Sequence, residues 1–224
     1  MKKILFLAVL AVLSCLGLTA CGSTVEKDIW VVTYETDNDR DYTYEDIKVD
    51  EKGNIISKKE GPNLYTYEYN EDGLLVREIR ENSLYGIEMN KYEYDENGLM
   101  VRSETSDEGS VNDGKVFNYS YTYDEEGKVT SMLCENANAE WSALVEYTYD
   151  EEGRIATATE HSSDVYLTEY FYDANGNVIK TFTTSDGWTR ERNYEYQNMG
   201  TYEYDEKEEP LAEKYRDFRN NHRK

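Results

Sequence analysis

The sequence predicts an all-β fold: an antiparallel meander of about seven consecutive β-hairpins forming an open curled or β-shell-like sheet, followed by a short C-terminal helix. Three observations predict it. A nine-residue unit, clearest at residues 147–155 (YTYDEEGRI), recurs at residues 67–75 (YEYNEDGLL), 92–100 (YEYDENGLM), 121–129 (YTYDEEGKV) and 170–178 (YFYDANGNV). Two degenerate copies flank these, at residues 47–55 (IKVDEKGNI) and 194–202 (YEYQNMGTY). The glycines of the seven copies are spaced 20, 25, 29, 26, 23 and 24 residues apart, the range of a repeat architecture. Finally, the chain holds 22 tyrosines, a residue favoured in strands.

The unit encodes a hairpin. Tyr-x-Tyr has the period of a strand and sends both rings to one face. Asp150 opens a turn, where its carboxylate accepts backbone N–H groups. Gly153, three residues on, suits the left-handed position of a bulged type I turn. The residue two after each glycine is Ile55, Leu75, Met100, Val129, Ile155, Val178 or Tyr202, which returns a large side chain to the same layer. An isolated hairpin is marginal in water, so consecutive hairpins are expected to pair side by side. Acidic turns then line one edge and variable loops the other.

The motif resembles the YD repeat of the Rhs family, best in residues 172–181 (YDANGNVIKT) and 149–155 (YDEEGRI). The resemblance spans most of residues 47–204. It implies a secreted or surface protein with a β-shell-like sheet. The large family members enclose a toxin, but this chain has fewer repeats, longer intervals and no toxin-like domain after them. It looks more like small bacterial lipoproteins with similar repeats.

Residues 1–20 read as a lipoprotein signal peptide. Lys2 and Lys3 form a positive start, an apolar stretch follows, and Leu18-Thr19-Ala20-Cys21 matches a lipobox. A transmembrane helix would need a longer apolar run. Cys15 marks a rival cleavage site, but the stretch before Cys21 has the preferred Leu and leads into polar sequence. By resemblance, Cys21 is the lipidation site, with residues 21–28 as lipidated N-terminus and tether. Gly22 follows it rather than an aspartate, so the pattern fits an outer-membrane address or a Gram-positive surface. Residues 29–209 form the repeat domain and residues 210–224 the helix.

The net charge is −23, becoming −25 when Lys2 and Lys3 leave with the signal. Such a chain is repelled by phosphate backbones, which argues against nucleic acid as a partner. Cys15 leaves with the signal and Cys21 is lipidated, so Cys134 stands alone, read as a buried core residue.

Along the body, residues 29–34 read as the first strand and residues 37–39 as a turn. Tyr42 and Tyr44 open the next strand, but Ile47 and Val49 fall on the opposite parity, so a bulge is expected near Glu45 and Asp46. After residue 205, Pro210 marks a helix start, and Leu211, Tyr215 and Phe218 lie on one stripe.

Chemistry is sparse. No phosphate loop, nucleophile elbow or His-Glu-x-x-His stretch is present. His161-Ser162-Ser163-Asp164 holds triad residue types, but contiguous in a turn, whereas a triad converges from separate elements. The sequence points to no catalytic residue, cofactor or metal. The acidic turns offer oxygen ligands without the alternating spacing of a calcium loop. The tyrosine pairs have two readings: a core joining hairpins, which is favoured, or a ladder stacking on sugar rings. Trp141 and Trp188, near the variable loops, are the candidate binding aromatics. The expected function is non-catalytic binding or scaffolding at the envelope, with a glycan, wall polymer or protein as ligand. The alternative is an envelope glycan hydrolase using carboxylates on the sheet.

Overall fold

Six of the seven units fold into one turn, and each turn holds itself together. In the computed structural model, which describes residues 24–38, 40–107 and 114–205, the turns open on Asp50, Asn70, Asp95, Asp124, Asp150 and Asp173. Each glycine N–H donates to the carbonyl of the opening residue at 3.0–3.2 Å. The opening side chain then accepts from the backbone ahead. Asp124 Oδ1 takes the N–H groups of Glu126 and Lys128 at 3.0 and 2.8 Å, and Asp173 Oδ1 those of Asn175 and Asn177, both at 2.8 Å. The six glycines have φ between +73° and +82°, the left-handed region the sequence requires of them.

These turns join strands in pairs. β1 (Thr24–Asp37), β2 (Arg40–Val49), β3 (Ile55–Glu60), β4 (Asn63–Tyr69) and β5 (Leu75–Asn82) come first. β6 (Gly86–Tyr94), β7 (Met100–Asp107), β8 (Lys115–Tyr123), β9 (Val129–Asn136) and β10 (Ser142–Tyr149) follow. β11 (Ile155–His161), β12 (Val165–Tyr172), β13 (Val178–Ser185) and β14 (Trp188–Asp205) complete the set. Each strand pairs antiparallel with its sequence neighbours. The bulge expected near Glu45 and Asp46 is present: the β2–β3 register shifts between Glu45 and Lys48, and Asp46 has φ +50°.

A second device joins one hairpin to the next. Pairing between hairpins stops two residues short of the motif's apolar residue: β9 and β10 pair last at Ser131 and Glu146, leaving Val129 beyond. A tyrosine hydroxyl from the next strand takes up that residue's carbonyl. Tyr69 donates to Ile55 O (2.8 Å), Tyr94 to Leu75 O (2.6 Å) and Tyr121 to Met100 O (2.7 Å). Tyr149 donates to Val129 O (2.6 Å), Tyr172 to Ile155 O (2.8 Å) and Tyr196 to Val178 O (2.9 Å). Phenylalanine would fill the same space but leave the carbonyl without this donor. Most units use their second tyrosine. In residues 121–129 the turn stands two residues further along, so Tyr121 makes the bond and Tyr123 is 45% exposed. These tyrosines therefore belong to the core reading.

The sheet is closed, which corrects the open curled sheet expected from sequence. β1 pairs with β14 over twelve positions, and the fourteen strands form a barrel. An open sheet would expose two rows of unpaired backbone groups, and the outermost strands here are the longest, at 14 and 18 residues. The seventh unit is a second correction. Residues 194–202 make no hairpin and run through β14. Gln197 stands where the other turns have Asp or Asn, so the local acceptor is missing. Gly200, at φ +123°, instead sits in a bulge where Met199 and Gly200 oppose Ile29 alone, and Asn198 Oδ1 accepts the Gly200 N–H at 2.7 Å.

β1 also begins at Thr24, inside the stretch read as a tether. The signal peptide, Cys21 and the expected helix at residues 210–224 lie outside the described residues, among which there is no helix.

Alternate residues face the interior. The core cluster joins Leu99, Val129, Met132, Cys134, Tyr147, Ile155 and Ala158. Leu75, Leu99 and Ile155 are fully buried at the acidic-turn end. Towards the loop rim the interior becomes polar, and there the candidate site lies.

Candidate functional site

β13 and β14 meet in a two-residue turn, with Ser185 opposite Trp188 and Gly187 at φ +73°. Trp188 therefore stands at the loop rim, and the period of two puts Arg190 and Arg192 below it on the same face. Together with β9 to β13 they enclose a cavity of about 540 Å³. Its inner part is formed by Met132, Tyr147, Ala158, Tyr170 and Thr181, and its mouth by Glu160, Ser162, Tyr166 and Trp188. The Tyr166 and Trp188 rings meet edge to face, with centroids 6.3 Å apart and planes at 87°. Trp188 is 44% exposed.

The two arginines are engaged from behind by β1. Arg190 clasps Asp37 with both arms of its guanidinium, the Nε–Oδ1 distance being 2.6 Å. Arg192 Nε lies 3.5 Å from Asp37 Oδ2 and 3.8 Å from Glu35 Oε1. The hydrogen bond from Arg190 holds the Asp37 carboxyl below its ordinary pKa. Glu160 differs: among the described residues its carboxylate has no ion pair or hydrogen bond. Burial raises the Tyr147 hydroxyl pKa, with neighbouring tyrosines and Glu160 adding to the rise. Burial also pushes Tyr170 up to about 12, against the pull of Arg192.

The two tryptophans chosen from sequence part company. Trp188 lines the cavity; Trp141, just before β10, packs edge-on against Phe117 at 5.9 Å and is not part of the lining. His161 ends β11 and Ser162 opens the bend that follows, and their side chains go different ways. His161 Nε2 is 2.8 Å from Glu146, while Ser162 lines the cavity. The triad residue types therefore do not converge. The turn aspartates spend their oxygens locally, as in Asp150 Oδ2, which accepts from Arg154 Nε at 2.7 Å. No cluster of three or more potential metal ligands occurs among the described residues.

Sequence reasoning missed Glu160, Arg190 and Arg192. The signal for the arginines was present: with Trp188 they alternate at i, i+2 and i+4, in a chain poor in basic residues. Glu160 carried none, being one of 47 acids.

A closed barrel of Tyr-Asp hairpins with a polar upper interior defines a structural, shell-like scaffold. The Teneurin YD-shell family model matches residues 101–208, a little under half of the chain. The repeats are YD repeats of the Rhs type. Among solved structures, the chain is similar to one in the Photorhabdus luminescens Tc holotoxin pore, at 18% identity and a TM-score of 0.25, over 71% of this chain. It spans 10% of that toxin chain. It is also similar to a porin-like protein from Bacteroides uniformis, at 12% identity and a TM-score of 0.37, over 78% of this chain and 96% of that one. No curated protein matches.

Proposed function

We propose that this chain is a lipid-anchored bacterial envelope protein that acts as a non-catalytic binding scaffold for a glycan, wall polymer or protein. The carrying observation is the polarity of the barrel. β1 enters and β14 leaves at the acidic-turn rim, while the cavity reaches from Tyr147 and Tyr170 to Trp188 at the opposite rim. Acylation of Cys21, three residues before Thr24, would tether the first end and present the second outward. The cavity favours binding over glycan hydrolysis. Hydrolysis uses two carboxylates flanking the bond, whereas Glu160 is the single carboxylate of the lining. Neighbouring Asp37 is held by Arg190, with Arg192 close by.

Two experiments test the proposal. Cys21→Ser should move the protein from the membrane fraction to the soluble one with loss of acyl mass; unchanged partitioning rejects the anchor. A glycan array and wall-polymer pull-down should show retention that Trp188→Ala reduces and Trp141→Ala does not. Turnover of any retained glycan would reject the non-catalytic reading.

A further inference from the structure

We infer that the cavity takes an organic cation, a quaternary or protonated amine, held against the Tyr166 and Trp188 rings with Glu160 as its counter-charge. This rests on the binding reading above and names the chemistry of the ligand. Three observations carry it. The first is the wall. Tyr166 and Trp188 present ring planes at 87°, the corner of an aromatic box. Tyr147 and Tyr170 lie deeper in the same cavity. Aromatic faces are negative and attract an ammonium group, most strongly where water is excluded.

The second is the balance of charge. The lining holds two arginines and one glutamate, but Asp37 and Glu35 offset the arginines from behind. What is left over is Glu160, without a partner among the described residues. An anionic ligand would meet that carboxylate and find Arg190 clasping Asp37, with Arg192 Nε 3.5 Å from Asp37 Oδ2 and 3.8 Å from Glu35 Oε1. A neutral sugar would leave its charge uncompensated. A cation answers it. The third is the long-range field: a chain of −23 draws cations toward its surface. At about 540 Å³ the space suits a small molecule or the terminal group of a larger one. The amine has two possible sources, an amino sugar or a choline-type headgroup.

The full chain in detergent would be titrated with tetramethylammonium, glucosamine, phosphocholine and N-acetylglucosamine, following tryptophan fluorescence and calorimetry. Tetramethylammonium should bind saturably, and N-acetylglucosamine, whose nitrogen is uncharged, at least tenfold more weakly than glucosamine. Whichever of glucosamine and phosphocholine binds more tightly identifies the source. Glu160→Gln should weaken tetramethylammonium binding at least tenfold at an unchanged melting temperature. Trp188→Ala should do the same, and Glu146→Gln, on the outer wall, should have no effect. Equal binding of glucosamine and N-acetylglucosamine, insensitive to Glu160→Gln, would overturn the cation and leave a neutral glycan site. Failure of all four probes while wall polymer is still retained would overturn the cation and place binding on another surface. Failure of every probe and every envelope polymer would reject the binding reading as well.

Discussion

Asp37 and Arg190 lie 153 residues apart in sequence, yet the carboxylate of one is clasped by both arms of the other's guanidinium, with Nε–Oδ1 at 2.6 Å. The pair binds the first strand to the last at the loop rim, where the barrel closes. Asp37 is only 11% exposed, so the carboxylate depends on this partner.

Asp37→Asn should destabilise the protein by about 1.5–3 kcal/mol, the range for hydrogen bonds to charged groups. The pH dependence follows from the lowered Asp37 pKa. A carboxyl held lower in the folded state adds stability that is present above its unfolded value, about 3.9, and lost as pH falls through the folded value. Urea titrations from pH 7 to pH 2.5 should show the gap between parent and variant constant at first and shrinking below about pH 4. A gap that does not change across that range would disprove the role of the ionised pair.

The tyrosine ladder gives a contrast within one residue type. Tyr149 is half-buried and donates to Val129 O at 2.6 Å, with Lys128 Nζ 4.3 Å from its ring centre. Tyr149→Ala should cost about 3–5 kcal/mol, and Tyr149→Phe about 0.5–1.5 kcal/mol for the hydrogen bond. Tyr123, outside the ladder, should lie within about 1 kcal/mol of the parent when changed to Ala. Chemical denaturation of the three variants decides this, and equal losses for Tyr123→Ala and Tyr149→Ala would refute the ladder.

Two glycines with nearly the same backbone should respond differently to alanine. Gly127 has φ +82° and open space around a built Cβ, so Gly127→Ala should cost about 1–2 kcal/mol for the left-handed conformation alone. At Gly53, φ +78°, a Cβ would lie 3.0 Å from Ile29 Cγ1 and 3.2 Å from Tyr202 Cδ1. Overpacking there should add a further ~1–3 kcal/mol. Matching melting-temperature losses would contradict the packing of the first acidic turn against the β1–β14 seam.

Cys134 should be inert. Burial pushes its thiol up to about 11, so little thiolate exists at neutral pH. In a Cys15→Ser, Cys21→Ser background, a thiol reagent at pH 7.5 should react only after denaturant is added. Prompt labelling of the folded protein would show that the β9 wall opens.

The sequence by itself determined the turn. Asp, Gly and the strand ends interact within five residues, so Asp124 finds the N–H groups of Glu126 and Lys128 whatever the rest of the chain does. It also determined the two faces of each strand, because side chains alternate with a period of two, while nearness to the variable loops put Trp188 forward together with Trp141. Tertiary structure alone decided closure. Whether an edge strand pairs depends on the accumulated twist and register of twelve intervening strands, and no local stretch encodes that the β1 edge will meet β14. The same cause absorbed residues 194–202 into β14: a unit without its aspartate has only a weak local preference, and twelve paired positions along β1 outweigh it. The cavity was illegible for a related reason. Glu160, Arg190 and Asp37 are ordinary charges in sequence, and only closure sets Asp37 behind the arginines and leaves Glu160 facing the aromatic wall.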